Sequence, residues 1–400
     1  MTDRLYYTDS YARQFGARVL EQITLDERPA VILDRTFFYP ESGGQPSDRG
    51  TLGGAQVIDV ISRQSDRAVM HVLSQPLHAT DAQGEVDWAR RFDHMQQHTG
   101  QHILSQAFLR TADAETVSFH LGADSVTIDI AADRVTPALA EKTEEIANGV
   151  VLGDAPVRAW FPAADEIAKL SLRKTPDVDG ALRVVAIGDF DLTACGGTHV
   201  ARTGEIGLIK ILKVEKQKKN TRVEFRCGWR ALGDYGRKNT LVNQLAADFT
   251  CGLAEVDQAV AKLRSEANTL RKELKGAREE LLAHEAAELI ASAPERGGWK
   301  VIRKAWAGRD ANEVRGLATR LAATPGTVAL LGTGGAKAHI VLARAQDIDR
   351  DMNLLFKSAI ALLDGARGGG DARLAQGGGV SADLGAVERA LNQAEQELFK

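Results

Sequence analysis

The chain has 400 residues and a net charge of −4, with 44% hydrophobic and 26% charged residues. That length allows two or three domains with full cores, and the weak net charge excludes a global pull toward polyanions, so any nucleic-acid contact must be local. No run approaches the roughly 18 apolar residues of a membrane helix, the start Met1-Thr-Asp-Arg-Leu-Tyr-Tyr lacks a basic-then-apolar leader, and Cys195, Cys227 and Cys251 are too few for a disulfide framework. A soluble protein of a reducing, cytoplasmic compartment, without a membrane partner, is the expectation.

Residues 1–90 read as short strands and turns. Ala30-Val-Ile-Leu-Asp, Gln56-Val-Ile-Asp-Val-Ile and Ala68-Val-Met-His-Val-Leu are β-branched runs, punctuated by Gly43-Gly44, Gly50 and Gly53-Gly54; they predict a small β-barrel. Met95, Ile103, Leu104, Ala107, Phe108 and Leu109 recur at helical spacing, which predicts a helix over 92–110. Strand-like runs follow at Thr116–Leu121 and Ser125–Ile130, a helix candidate at Pro137–Leu152, then strand-like runs at Arg183–Ile187, Gly207–Val214 and Arg222–Cys227. The second domain, 91–235, is therefore expected to be α+β. Residues 236–293 are rich in Ala, Leu, Glu, Lys and Arg, and Leu263, Leu270, Leu274, Leu281 and Leu282 suggest a coiled-coil-like helical arm. Residues 294–400 alternate strands (Lys300-Val-Ile, Thr327-Val-Ala-Leu-Leu, Ala338-His-Ile-Val-Leu) with helices, an α/β domain whose glycine-rich stretch spans Gly365 to Gly379. The fold class expected is α+β multidomain.

Two short motifs carry the chemistry: His98-Thr-Gly-Gln-His102 and Cys195-Gly-Gly-Thr-His199. Three imidazoles and one thiolate suit tetrahedral Zn2+, and the long separation of the pairs is that of an ion joining distant parts of one domain rather than a zinc finger. On a helix, i and i+4 share a face. His94 extends the row, but eight residues of helix span about 12 Å, so either 94/98 or 98/102 binds. Two glycines between Cys195 and His199 let the loop fold back toward one point. Thr99 stands where a zinc metalloprotease helix needs its glutamate, and the C-terminal glycines lack the Gly-Lys-Ser/Thr of a P-loop. A closed four-ligand site is typical of structural zinc, whereas catalytic zinc keeps a position open; the residues alone leave both readings standing.

Phe38-Tyr-Pro-Glu-Ser-Gly-Gly-Gln-Pro46 with Asp48-Arg-Gly50, the run Arg90 to Leu104, and Cys195-Gly-Gly-Thr-His199 stand in the order seen in one family. They resemble the editing domain of alanyl-tRNA synthetase and its free-standing relatives, the AlaX trans-editing proteins. The C-terminal stretch resembles the DHHA1 domain that ends those synthetases, so the whole is similar to the long AlaX class. The resemblance implies an N-terminal barrel with a glycine-rich segment (1–90), a zinc-binding editing domain (91–235), a helical arm (236–293) and a DHHA1-like domain (294–400). It implies hydrolysis of mischarged tRNA(Ala), chiefly Ser-tRNA(Ala) and less certainly Gly-tRNA(Ala), and, since the chain begins at the barrel, no charging activity.

Within that resemblance His98, His102, Cys195 and His199 hold Zn2+. Thr36 is the candidate reader of the serine hydroxyl, Gln45 a candidate for orienting the substrate or the tRNA end, and His120 a candidate acid/base or ribose contact; each also reads as an ordinary strand, turn or structural residue. The locally basic run Lys210–Arg230, with Lys213, Lys216, Lys218, Lys219 and Arg222, is a candidate phosphate track, or a solvated hairpin rim. The arm and C-terminal domain are candidate homodimer surfaces. The competing reading is a tRNA-binding module whose zinc is structural and which cleaves nothing.

Overall fold

A computed structural model describes residues 2–123, 125–174 and 181–400. Two compact units emerge, Met1–Asp248 and Phe249–Lys400.

The first unit opens with β1 (Asp3–Arg4), β2 (Gln14–Leu25), β3 (Arg28–Leu33), β4 (Arg35–Thr36), β5 (Gly50–Leu52), β6 (Ala55–Ser62), β7 (Val69–Leu73) and β8 (Asp81–Val86). Strands β2-β3-β7-β6-β5-β8 close into a barrel. Along β8 burial alternates residue by residue, the period of a strand with one face inward. Phe15, Val31, Leu33, Phe38, Leu52, Val60, Val69 and Leu73 fill the interior.

Next comes α1 (Trp88–Ala112). The Asp87 side chain caps it by accepting from the Arg90 amide, and Asp113 ends it in the left-handed conformation at φ 50°. It is longer than the periodicity predicts, and most residues from Arg91 to Phe108 are buried. Burial on nearly all sides explains why its polar residues, His94 to Gln101, blur the apolar stripe. The strands β9 (Thr116–Leu121), β10 (Val126–Ile130), β14 (Ile209–Gln217) and β15 (Asn220–Cys227) form an antiparallel sheet in the order β14-β15-β10-β9. Helices α1 and α2 (Pro137–Leu152) close a core of Met95, Ile103, Leu104, Phe108, Ile128, Val151 and Phe225. After β11 (Val157–Trp160) and the short α3 (Ala164–Ile167), β12 (Val184–Ile187) pairs with both β11 and β13 (Asp191–Ala194) in a three-stranded antiparallel sheet. A long helix, α4 (Gly228–Phe249), ends the unit.

The glycine-rich segment is clamped to α1 by a buried ion pair. Arg91 and Asp48 are both fully buried. The guanidinium grips the Asp48 carboxylate and donates to the Ser10 carbonyl at 2.9 Å and the Phe37 carbonyl at 2.5 Å, while the Tyr39 amide donates to Asp48 Oδ2 at 2.6 Å.

In the second unit, α5 (Val256–Ser292) leads to the sheet β16-β17-β18-β20-β19, formed by β16 (Glu295–Arg296), β17 (Trp299–Ala307), β18 (Thr327–Arg344), β19 (Arg367–Gly370) and β20 (Leu374–Ala382). Helices α5 and α6 (Ala311–Ala322) cover Ile302, Ala329 and Leu331 on one face. On the other, α7 (Met352–Ile360) and α8 (Leu384–Leu398) cover Val301, Val328 and Leu330. The arm is two helices rather than one: Thr250 takes a left-handed conformation at φ 52° between α4 and α5. The glycine-rich stretch is β-sheet. A Cβ at Gly368, Gly370, Gly377 or Gly378 would strike the neighbouring strand's backbone, so these glycines serve strand packing. Among the described residues no helix is long and apolar enough to cross a membrane.

Candidate metal centre

His98 and His102 project from one face of α1, and the loop after β13 brings Cys195 and His199 against them. One ligand atom from each of the four lies within 4.8 Å of every other. Cys195 Sγ is 3.4 Å from His98 Nε2 and 3.3 Å from His199 Nε2, and the three imidazole centroids are 4.6 to 5.1 Å apart. Cys195 is partly exposed and the three histidines are buried.

The orientation of the rings fits a metal. The Nδ1 atoms of His98 and His199 point away from the cluster at a protein acceptor, which leaves their Nε2 atoms inward, and His102 Nδ1 faces a carboxylate. His98 Nδ1 donates to Gln45 Oε1 at 2.7 Å. His199 Nδ1 donates to Thr99 Oγ1 at 3.1 Å. His102 Nδ1 lies 3.4 Å from Asp191 Oδ2, and Arg173 grips that carboxylate at 2.8 and 3.0 Å. Outer partners of this kind fix the tautomer and raise the basicity of metal-binding imidazoles. The electrostatics agree. Burial alone would raise the Cys195 thiol, but His98, His199 and His102 hold it well below its ordinary value, so it stands as thiolate. Burial pushes His199 down to about 3, toward the neutral ligand form. His102 is raised to about 8 against its burial, by the Cys195 charge and Asp191. The donor set and its orientation fit Zn2+.

The Cys195 loop is shaped by a close approach. A Cβ on Gly197 would overlap the His98 ring and crowd Gln45 Oε1. Arg183, 6% exposed, donates to the carbonyls of Cys195 at 3.0 Å and Gly197 at 2.9 Å, and to Tyr7 at 3.1 Å. His94 stays outside the cluster, its buried Nδ1 without a hydrogen-bond partner among the described residues; burial, then Arg90 and Arg230, push it down to about 3.

A cavity of about 890 Å³ opens onto the centre, lined by His98, His102, Cys195, Gly196 and Gly197 together with Tyr7, Tyr39, Gln101, Phe119, Phe161, Arg4 and Arg67. The other candidates lie elsewhere. Gln45 is fully buried and spans His98 and Thr198, donating from Nε2 to Thr198 Oγ1 at 2.8 Å and accepting from the Thr198 amide at 3.2 Å. Thr36 is fully buried, its hydroxyl paired with His71 Nε2 at 2.8 Å and accepting from the Phe38 amide at 3.0 Å. His120 is exposed on β9. Among the described residues none of these three lines the cavity. Lys213 pairs with Glu215 at 2.6 Å, Arg222 with Asp129 at 2.7 Å, and Lys216 with Asp133. Lys218 and Lys219, exposed at the β14–β15 turn, carry no ion pair among the described residues. Asp191, Arg173, Arg183, Thr99 and Gln101 were missed, since none stands in a spaced pattern of ligand types.

The family described as the threonyl and alanyl tRNA synthetase second additional domain matches residues 182–224, the segment that carries Cys195 and His199. An alanyl-tRNA editing protein, AlaX-L, of Pyrococcus horikoshii is 31% identical over 398 residues, covering 94% of this chain and 94% of that protein. The alanyl-tRNA editing protein Aarsd1 of Bos taurus is 34% identical over 72% of this chain and 69% of its own. An alanine–tRNA ligase of Halorubrum lacusprofundi is 33% identical over 99% of this chain, which spans 44% of the ligase. The crystal structure of the C-Ala domain from Aquifex aeolicus alanyl-tRNA synthetase aligns with 26% of this chain at 24% identity and a TM-score of 0.23, too low to bear on the fold.

Proposed function

Because the chain belongs to the alanyl-tRNA editing protein family, we propose that it is an aminoacyl-tRNA deacylase that acts in trans on mischarged tRNA(Ala), removing serine chiefly and glycine secondarily by hydrolysis of the 3′ ester. A synthetase pocket shaped for alanine discriminates only weakly against small isosteres, so a second hydrolytic site is the physical remedy. The observation that carries the reading is the convergence of His98, His102, Cys195 and His199, three of which line a cavity of about 890 Å³.

These four residues would hold the ion, and Gln45, Thr99 and Asp191 would keep the imidazoles aimed at it. When bound, Zn2+ supplies orientation and polarisation to the ester end of the substrate. The protein contributes the rest: Arg183 fixes the Cys195 loop, and the cavity holds the aminoacyl end beside the cluster. A purely structural zinc is the weaker reading, because three of the four ligands line the cavity instead of being sealed from it.

Transfer RNA is the macromolecular partner in this proposal. The exposed lysines at the β14–β15 turn, Lys218 and Lys219, are the phosphate contacts we assign first, with Lys213, Lys216 and Arg222 exchanging their acidic partners for phosphate. On α5, Val260, Leu263, Leu270, Leu274 and Leu281 are exposed, and this apolar row is where a second copy of the chain would pack, which mass measurement in solution tests. The deciding experiment is a deacylation panel of Ser-, Gly- and Ala-tRNA(Ala) with wild-type protein and Cys195→Ala. Selective Ser-tRNA(Ala) hydrolysis, lost together with bound zinc in the variant, is expected. Full zinc and full activity in Cys195→Ala would remove the proposed centre.

A further inference from the structure

Gln101 stands on the same face of α1 as His98 and His102, since positions i, i+3 and i+4 are neighbours on a helix, and it lines the same cavity. It is only 6% exposed. Its Nε2 donates to Ser105 Oγ at 2.7 Å, and Thr116 Oγ1 donates to that same oxygen at 2.7 Å. Helix and strand together hold the amide in place. Its Oε1 meets no protein donor among the described residues. An anchored acceptor on a cavity wall, with no protein donor of its own, is free to meet a hydroxyl that enters the cavity. Two other polar groups of the cavity wall are engaged: Ser118 donates to Asp129 at 2.7 Å, and Tyr39 to the Ser42 carbonyl at 3.1 Å.

We propose that Gln101 reads the side-chain hydroxyl of the amino acid carried by the substrate: Oε1 accepts from the hydroxyl of an esterified serine. The inference rests on the editing reading above. Alanine leaves that acceptor unfilled and is rejected, which protects correctly charged tRNA. Glycine leaves it unfilled as well, so this contact places serine above both alanine and glycine. Thr36, whose hydroxyl is paired with His71 and accepts from the Phe38 amide, does not line the cavity among the described residues.

The test is Gln101→Met, which keeps the length of the side chain and removes the acceptor, with Thr193→Val as a second cavity variant. The ratio of kcat/KM for Ser-tRNA(Ala) over Ala-tRNA(Ala) and zinc per chain are measured. In parallel, non-hydrolysable 3′-seryl-amide and 3′-alanyl-amide adenosines compete for the site. The expected result is a fall in the ratio of about tenfold or more, the worth of one hydrogen bond, with the preference for the seryl amide lost and zinc retained. An unchanged ratio in Gln101→Met, or a ratio erased only by Thr193→Val, overturns the proposal. Should Gln101→Met fail to fold, Ser105→Ala, which frees the amide from its anchor, is read by the same ratio: a fall supports the proposal and no change overturns it. A wild-type protein with no preference for serine over alanine would instead remove the editing reading itself.

Discussion

Gln45 Oε1 lies 2.7 Å from His98 Nδ1, across 53 residues of chain. The same amide reaches Thr198, between Cys195 and His199, so one side chain ties the glycine-rich segment to both halves of the metal cluster. Gln45→Ala is expected to lower zinc affinity about 10- to 100-fold, the usual effect of removing an outer partner of a ligand. Competition against a chromophoric chelator measures it. An affinity equal to wild type would show that His98 is held in place without this bond.

The buried Arg91–Asp48 pair makes a stability prediction. Asp48→Ala leaves a guanidinium uncompensated at a fully buried position and removes the acceptor of the Tyr39 amide. The expected loss is about 3–5 kcal/mol of the first unit's stability, read by urea unfolding of the zinc-loaded protein.

His71 supplies a pH dependence. It is fully buried in the barrel, and burial pushes it down to about 4 from an ordinary value of 6.5. The unfolded chain binds a proton below its ordinary value that the folded chain refuses until about 4. Stability from this group is therefore complete above 6.5 and is lost as pH falls from 6.5 toward 4, by on the order of 3 kcal/mol. His71→Gln should flatten the stability–pH curve in that window relative to wild type; identical slopes would show that His71 is not the titrating group.

The turn lysines predict a salt effect. Lys218→Ala with Lys219→Ala should weaken tRNA binding and reduce the salt slope of log K by about 1 to 2, while zinc content stays unchanged. Filter binding at several salt concentrations decides it; an unaltered slope would place the phosphate contacts elsewhere.

The four clustered ligands were legible because their chemistry is written as spacing: i and i+4 on a helix, and two glycines between a thiol and an imidazole. The barrel was legible from short β-branched runs broken by glycines. What surrounds the ligands was not. Gln45 reads as a turn residue, and its bridging position depends on the fold bringing residues 45, 98 and 198 together. Asp191 and Arg183 sit singly on or beside strands, where no periodicity marks a carboxylate that holds an imidazole or a guanidinium that holds a loop. The role of the C-terminal glycines was not legible, because close approach to a ligand and close approach to a neighbouring strand demand the same missing Cβ, and only the sheet register of β19 and β20 separates the two.

Synthesis runs from the N-terminus, and the cluster draws on a helix near residue 100 and a loop that ends at His199. A ribosome therefore exposes the barrel and two of the imidazoles well before the thiolate that completes the set. An ion held by all four residues could be captured only late in the life of the nascent chain, after the His98–His102 face of the helix has waited for its partners.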